Sequence, residues 1–469
     1  MRTVFSVIFA AVGLGYSALA AAEDLIQVYD LAVQSDPLLK EAEQNLYSTR
    51  EIKPQARALL LPTFGVTGDA QYQNDKTSSR RGGGTVPVGS STVTSPSTVA
   101  IPSTTTNRND TYDSWGVTVA ITQSVYDRAN WIRLDQSDDT IAAAEADYRN
   151  SQIELMVRTT TAYFDVLRAA DRVRVTEALQ RANERQLEQS KQRFEVGLVA
   201  ITAVDESQAA YDRSRAEVIT AKNNLDSRWE ALRRIIGPVS VPLARLGERL
   251  PLTPPEPNDI DVWADTAVKH NYGVIAAIEA SQAAKKQIQI ERSGHFPTFD
   301  LQAGYDWSKT DAEFGTDIDT AFITLNMSLP LYQGGLVTSR TRQAGYDLQA
   351  AQDRVDQARR EVLNTVKDAF RGVISSISDV QARQAAVVSA RSSLESTQAG
   401  LEVGTRTQVD VLNAQQRLFQ AEFDYLSSRY DYIINGVRLH QATSTLTRNV
   451  LAKGNAWLNP KDMITPPSY

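Results

Sequence analysis

The triplet Glu195-Val196-Gly197 recurs as Glu402-Val403-Gly404, and these two stretches decide the predicted fold. Each triplet closes a long run without proline, over residues 129–196 and 337–403. At about 1.5 Å per residue, such a run can form a helix about 100 Å long. A glycine directly after it permits the left-handed backbone that caps a helix and lets the chain reverse. Each triplet therefore predicts the tip of a long antiparallel helix pair.

The returning helices are predicted over residues 203–236 and 408–444, which also lack proline. Charged residues are dense in all four helices, so we expect them to lie in water. Apolar or small residues recur in a heptad along the first long run, a spacing that favours coiled-coil packing. The members of this heptad are Leu134, Ile141, Tyr148, Leu155, Ala162 and Ala169.

The match between the two triplets extends outward, so the chain reads as a tandem repeat. Matching segments are Ala32-Val33 with Ala267-Val268, Pro62-Thr63-Phe64 with Pro297-Thr298-Phe299, and Tyr126 with Tyr332. The first copy is longer between the last two landmarks. Its additional residues, 74–110, are rich in Ser, Thr and Gly and predict a long surface loop.

Two segments of each copy alternate apolar and polar residues, which is typical of β-strands. They cover about residues 62–74, 112–125, 299–308 and 320–331. Apolar alternation over about ten residues, with aromatics near the ends, is the pattern of an outer-membrane barrel. The alternative is an antiparallel sheet on a soluble core.

Four strands are too few to close a membrane barrel, whose smallest form has about eight. Unclosed edges in lipid leave backbone groups unsatisfied. The barrel must therefore be shared between chains, with eight strands in a dimer or twelve in a trimer. A conducting duct favours twelve, because eight strands leave an interior filled by side chains.

The repeats divide the whole chain. Residues 1–22 have an apolar stretch and small residues before Glu23, the layout of a cleaved secretory signal, with cleavage after Ala22 or alternatively Ala20. Residues 23–236 and 258–446 are the two repeats. A proline-rich linker, 237–257, joins them, and a C-terminal tail follows at 447–469. We expect the linker and the tail to lie outside the wall formed by the long helices, in irregular structure.

Composition narrows the function classes. The chain has no cysteine, which excludes thiol catalysis, and its three histidines lack the spacing of metal ligands. A net charge of -7 argues against a nucleic-acid partner. No catalytic constellation can be assembled, so an outer-membrane hydrolase is disfavoured. A periplasmic adaptor with a helical hairpin is the other alternative, but the four strands and the repeat disfavour it.

Several segments resemble the TolC family of outer-membrane channel-tunnels. They are residues 194–202 and 403–412 at the two turns, 329–335 before the second long helix, and 26–29 near the start. The resemblance implies a mixed fold: a homotrimer whose 12-stranded transmembrane β-barrel continues into a 12-helix periplasmic α-barrel. It also implies outer-membrane localisation and no enzymatic activity or cofactor. The implied function is passive conduction of drugs or secreted proteins, delivered by a periplasmic adaptor and an inner-membrane ABC or proton-driven pump.

The resemblance also implies two sets of site residues. The turns would dock the adaptor through Gly197, Leu198, Gly404 and Thr405. The periplasmic gate would use Asp410, Asn413, Arg406, Thr202, Ala203, Gln186 and Leu401. Asp410 would form an acidic ring at the constriction, although Thr407-x-x-Asp410 also matches a helix capping box.

The resemblance implies that Arg406 holds the tip shut through contacts with Thr202 and Ala203. It also implies that Gln186 makes another closing contact. Three positions depart from the family pattern. Asn413 replaces a second acidic ring, Ala203 replaces an acidic partner of Arg406, and Leu401 replaces a hydrogen-bonding tyrosine. We therefore expect the cation affinity of the gate to depend on Asp410 alone.

Overall fold

Two units make up the protein, and the computed structural model describes residues 24–83, 85–87, 98–100, 104–239, 241–311 and 315–466. The expected signal peptide and its cleavage positions lie outside these residues. One unit takes the described residues of Met1–Thr49, Thr140–Ser281 and Ala350–Tyr469. The other takes those of Arg50–Asp139 and Gln282–Gln349, and contains the long strands.

The elements follow the predicted repeat. The helices are α1 (Leu25–Ser35), α2 (Pro37–Arg50), α3 (Ile52–Ala58), α4 (Arg128–Glu195), α5 (Ile201–Ile236), α6 (Ile260–His270), α7 (Tyr272–Arg292), α8 (Leu336–Glu402), α9 (Gln408–Ala442) and α10 (Arg448–Asn455). The strands are β1 (Thr63–Arg81), β2 (Thr85–Pro87), β3 (Thr98–Ala100), β4 (Thr104–Tyr126), β5 (Leu243–Leu246), β6 (Thr298–Thr310), β7 (Thr316–Ser328) and β8 (Leu458–Ile464). The long helices α4 and α8 match the predicted runs within one residue at each end.

The four long strands form an antiparallel sheet in the order β1-β4-β6-β7. Phe64 lies opposite Ile121, Ile121 opposite Ala303, and Ala303 opposite Ile323. Directly opposed residues share a face of a sheet, so the apolar sets of all four strands lie on one side. Many of these side chains are exposed, including Phe64 and Ile323. The predicted alternation is confirmed.

The surface loop expected over residues 74–110 is wrong for the described part of that segment. β1 continues to Arg81 and β4 begins at Thr104, and these two residues pair at the end of the ladder. Ser and Gly favoured a loop, but threonine suits strands, and the continuing backbone hydrogen bonds extend the hairpin. Residues 84, 88–97 and 101–103 lie outside the described residues.

The middle of α4 is buried over most of its circumference, contrary to the expectation that the long helices lie in water. Tyr163, Phe164, Val166 and Leu167 are all at 0% exposure. They belong to a hydrophobic core to which α1, α5, α9 and β5 also contribute. Asp165 and Arg168 of the same segment are partly exposed, so only a narrow charged stripe of the helix faces water at this level. Dense charge along the whole helix concealed this local segment.

The tail and part of the linker are regular structure, which corrects the expectation of irregular chain. Residues 448–455 form α10, and β8 pairs with β5 of the linker. Leu451 is buried, and the side chain of Asn455 accepts the N–H of Leu25 at 2.9 Å and donates to Asp24 at 2.7 Å. The tail folds because it covers apolar surface beside α1.

The core also contains a buried charge, Asp171, which is 4% exposed. Asp171 accepts a hydrogen bond from Tyr430 at 2.6 Å and pairs with Arg245 at 3.0 Å. Burial, followed by the charge of Asp171, raises the pKa of the Tyr430 hydroxyl. Pairing makes buried charge tolerable and fixes the position of the elements that carry it.

Among the described residues, no helix is both long and apolar enough to cross a membrane.

Candidate functional site

The first turn, between α4 and α5, reverses at Gly197, which has a φ of 76°. The N–H of Leu198 reaches the carbonyl of Arg193 at 2.8 Å, and the N–H of Gly197 reaches Phe194 at 2.9 Å. These two bonds form a Schellman motif, which satisfies the last carbonyls of a helix. A side chain at a positive φ is strained, so glycine is needed here.

The second turn, between α8 and α9, has the same geometry. Gly404 has a φ of 77°. The N–H of Thr405 bonds the carbonyl of Gly400 at 2.8 Å, and that of Gly404 bonds Leu401 at 3.2 Å. The repeat seen in sequence is therefore a repeat of backbone hydrogen bonds, and both glycines have the predicted structural role.

The two turns differ in how the next helix begins. In α9, Thr407 and Asp410 form a complete capping box: the Thr407 N–H donates to the Asp410 carboxylate at 2.9 Å, and the Asp410 N–H donates back to the Thr407 hydroxyl at 3.2 Å. Hydrogen bonds from the backbone and then the hydroxyl of Thr407 hold the pKa of Asp410 below its usual range. In α5 the equivalent cap is Ala200, which makes no side-chain bond.

Arg406 folds back onto the end of its own preceding helix. A Cβ placed on Gly400 would lie 2.6 Å from Cγ of Arg406, so the arginine stem occupies the space that glycine leaves. The charge of Arg406 contributes to lowering the pKa of Asp410, after the hydrogen bonds from Thr407. Among the described residues, Arg406 has no hydrogen bond or ion pair with Thr202 or Ala203.

The other predicted gate residues are distributed over four helices. Thr202 and Ala203 lie in the first turn of α5, and Gln186 is half-buried on α4. Leu401 is half-buried in the last turn of α8. Asn413, on α9, lines a cleft of about 230 Å³ whose walls come from α4, α5 and α9. The structure thus places Asn413 beside α5. Among the described residues, the side chain of Gln186 forms no hydrogen bond with another helix.

A buried polar cluster near the turns was missed from the sequence. Ser190 of α4 and Ser207 of α5 share a hydrogen bond of 3.0 Å, and Gln408 of α9 donates to Ser207 at 3.2 Å. One level further from the turns, Gln415 of α9 donates to Asn183 of α4 at 3.4 Å. The available signal was the heptad spacing of polar residues, Asn183 with Ser190 and Ser207 with Ser214.

Large apolar side chains are exposed at both turns. Val196 is 69% exposed, Leu198 73% and Val403 75%. Their neighbours at the tips, including Gly197, Gly404 and Thr405, are also exposed. Exposed apolar groups rimmed by polar residues are typical of interaction surfaces. In the part of the chain that the structure describes, no three His, Asp or Glu side chains are placed to hold a metal ion.

Comparison with known proteins gives a consistent result. The sequence profile of the family described as "Outer membrane efflux protein" matches residues 28–238 and 263–445, covering both repeats. Outer membrane protein TolC of Escherichia coli (strain K12) is 36% identical over 460 residues, spanning 95% of this chain and 87% of the relative. Alkaline protease secretion protein AprF of Pseudomonas aeruginosa is 28% identical, spanning 94% of this chain and 88% of the relative. The Campylobacter jejuni CmeC outer membrane channel has a similar fold, with a TM-score of 0.71, 15% identity and 97% of each chain covered.

Proposed function

The chain belongs to the outer membrane efflux protein family, and on this premise we propose that it is the outer-membrane exit channel of a tripartite export system. The observation that carries the proposal is the family match over both repeats, reinforced by 36% identity to TolC along nearly the whole chain. The protein lies in the outer membrane and conducts cargo passively. A periplasmic adaptor and an inner-membrane pump supply the cargo and the energy.

Efflux of small molecules and secretion of proteins are both within this function. The family is described by efflux, whereas the relative AprF is a protease secretion protein. The adaptor-like alternative receives no support, because the matching relatives are outer-membrane proteins. The family and its relatives are channels, so we assign no catalytic role to any residue.

The channel is a homotrimer with a 12-stranded barrel. Support comes from the sheet, in which β1 and β7 are the edge strands and the apolar face is exposed. Edges in lipid would leave rows of N–H and C=O groups unpaired, so β1 of one chain must pair with β7 of the next. Three chains supply twelve strands, wide enough for an aqueous lumen where eight are not.

The two turns dock the adaptor. The supporting observation is that Val196, Leu198 and Val403 project from the tips with most of their surface exposed. The Schellman motifs at Gly197 and Gly404 already fix the backbone there, so little conformational freedom is lost on binding. Leu198 and Thr405 occupy equivalent positions after the two glycines.

The periplasmic gate is formed at the start of α9. Asp410 provides an acidic ring, supported by a lowered pKa whose main cause is the hydrogen bond from the Thr407 backbone. Asn413 contributes no charge, and Arg406 has no acidic partner at Ala203. Gln186 of α4, Thr202 of α5 and Leu401 of α8 complete the proposed gate.

Gene deletion in the source bacterium tests the function. Loss of the gene should increase sensitivity to drugs, reduce secreted proteins in the medium, or do both, and the intact chain should restore the phenotype. The protein should sediment with outer membranes and require detergent for extraction. A deletion strain with unchanged drug sensitivity and unchanged secretion would contradict an export function.

A further inference from the structure

Three helices meet at a buried pair of hydroxyls close to the turns. Ser207 of α5 is 0% exposed and Ser190 of α4 is 3% exposed. Their hydroxyl oxygens are 3.0 Å apart, and the Ser207 hydroxyl also accepts Nε2 of Gln408 at 3.2 Å. Each serine has a single hydroxyl hydrogen, so one of them donates to the other serine and the second donates to a carbonyl of its own helix, at Ala203 for Ser207 or at Gln186 for Ser190. The chain Gln408–Ser207–Ser190 therefore links α9 to α5 and α4.

The position of this link is informative. Gln408 is the first residue of α9, directly after the Thr407 cap and two residues after Arg406. Ser207 lies one helical turn after Ala203, the residue that cannot give Arg406 an ionic partner. The polar link thus joins the same two helices that an Arg406 tie would join.

Breaking this link has a defined energetic consequence. If α9 moved away from α5, the Gln408 amide could turn to water, but Ser207 would keep only its hydrogen bonds with α4 and α5. A net neutral hydrogen bond changes an equilibrium by about two- to tenfold. Unlike an ion pair, a buried neutral bond is hardly screened by salt.

We propose that the Gln408–Ser207–Ser190 chain is the latch that holds α9 against α5 and α4 at the periplasmic entrance. It replaces the ionic tie that Ala203 precludes. This inference rests on the proposed channel function. Ser207 is a positioning residue, which acts on the width of the entrance through the placement of α9.

Planar-bilayer conductance of the purified protein tests the latch. Ser207→Ala and Gln408→Met each remove one partner while keeping similar volume and helix propensity. Ser214→Ala is the matched control. Ser214 lies on the same helix and is also buried, but among the described residues its hydroxyl bonds only the carbonyl of Tyr211, in its own helix.

We expect Ser207→Ala and Gln408→Met to raise mean conductance or open time about two- to tenfold. The double variant should equal Ser207→Ala, because that substitution already removes the hydrogen bond from Gln408. The increase should be the same at about 0.1 M and about 1 M salt, although the Debye length falls from about 10 Å to about 3 Å. Ser214→Ala should match the wild type.

Three results would overturn the latch. Ser207→Ala could conduct like the wild type, Ser214→Ala could open the channel as much as Ser207→Ala, or the two single effects could simply add. Absence of any wild-type conductance would instead contradict the proposed channel function, so the two failures are distinguishable.

Discussion

Asp410 serves as a helix cap and as the predicted charge of the gate. Its carboxylate accepts the Thr407 N–H and the Thr407 hydroxyl, both at 2.9 Å. A carboxylate oxygen satisfies this role whether or not it is charged, since an amide oxygen also accepts. The two roles are therefore separable by substitution.

Asp410→Asn should weaken block of the channel by multivalent cations at least about fivefold, because one pair of unit charges a few ångströms apart in water contributes about 1 kcal/mol and the ring of a trimer loses a charge from every chain. The capping box should survive through the amide oxygen, so stability should hardly change. Asp410→Ala, in contrast, should lose both the charge and the capping box. Asn413→Asp should strengthen block by adding a ring about one turn away. Bilayer titrations with a trivalent cation measure the effect. If cation block is unchanged in Asp410→Asn, the role of Asp410 is limited to the capping box.

The pH dependence of block follows from the same contacts. Hydrogen bonds from Thr407 favour the charged carboxylate, so the pKa of Asp410 lies below its usual value. Because the pKa is depressed, the charge persists as pH falls through the ordinary Asp range near about 3.9. Cation block should therefore be constant down to about pH 4 and decline only below it. If block fades near about pH 6, either repulsion between the ring carboxylates outweighs the hydrogen bonds from Thr407 or a group other than Asp410 carries the block.

Gly400 is a residue whose importance appears only in three dimensions. Gly400→Ala should force Arg406 out of its place, since the new Cβ would meet Cγ at 2.6 Å. We expect a loss of about 1 kcal/mol at the second turn, seen as faster exchange of the Thr405 and Arg406 amides. Gly345→Ala, on the same helix with no atom near the new Cβ, is the control and should stabilise by about 0.5–1 kcal/mol. Equal behaviour of the two variants would contradict the packing argument.

Helix ends show which features a sequence can predict. The glycines of the turns and the Thr407 box were predictable because their bonds join residues within five positions of one another. The faces of the strands were predictable because side chains alternate locally. The link between Ser207 and Gln408 was not, because it depends on how α5 and α9 pack. The folding of the tail depends likewise on the β5–β8 pairing.

The start of α5 is an element with a missing cap. Ala200→Thr should supply a side-chain oxygen for the N–H groups of the first turn, since Ala200 already has the extended backbone of a cap. We expect about 1 kcal/mol of local stabilisation, measured as slower amide exchange at Thr202, whereas the N–H of Ala203 already bonds the carbonyl of Ala200 at 3.1 Å. Ala200→Val is the control, because it has the same branching without the oxygen. If valine slows exchange as much as threonine, the effect is not capping.

The helical unit and the sheet unit of the molecule differ in how far their apolar side chains are buried within one chain. The helical unit has its own core, reinforced by Asp171, Tyr430 and Arg245. The sheet unit exposes its apolar side chains and has two edges. The sheet is thus the part of the chain for which we propose pairing with other copies.

We expect the protein to assemble into trimers. Light scattering and native mass measurement in detergent should give three chains per particle, because four strands cannot close and twelve leave a lumen. The absence of native cysteine allows a second test at the strand edges. Cysteine replacing Thr67 in β1 should form disulfides with cysteine at one of the β7 positions Thr320, Thr324 or Asn326, because an edge strand must pair with the next chain.

The cross-linked products distinguish the possible arrangements. Oxidation should give a ladder that ends at three chains, since a closed ring has no further free edge. Thr118→Cys with Asp306→Cys is the control: these residues are directly opposed within one chain, so their disulfide should leave the chain a monomer on a denaturing gel. A ladder that ends at two chains would support an eight-stranded barrel. A particle of one chain would mean that the edges of β1 and β7 meet nothing, and the barrel would have to be abandoned.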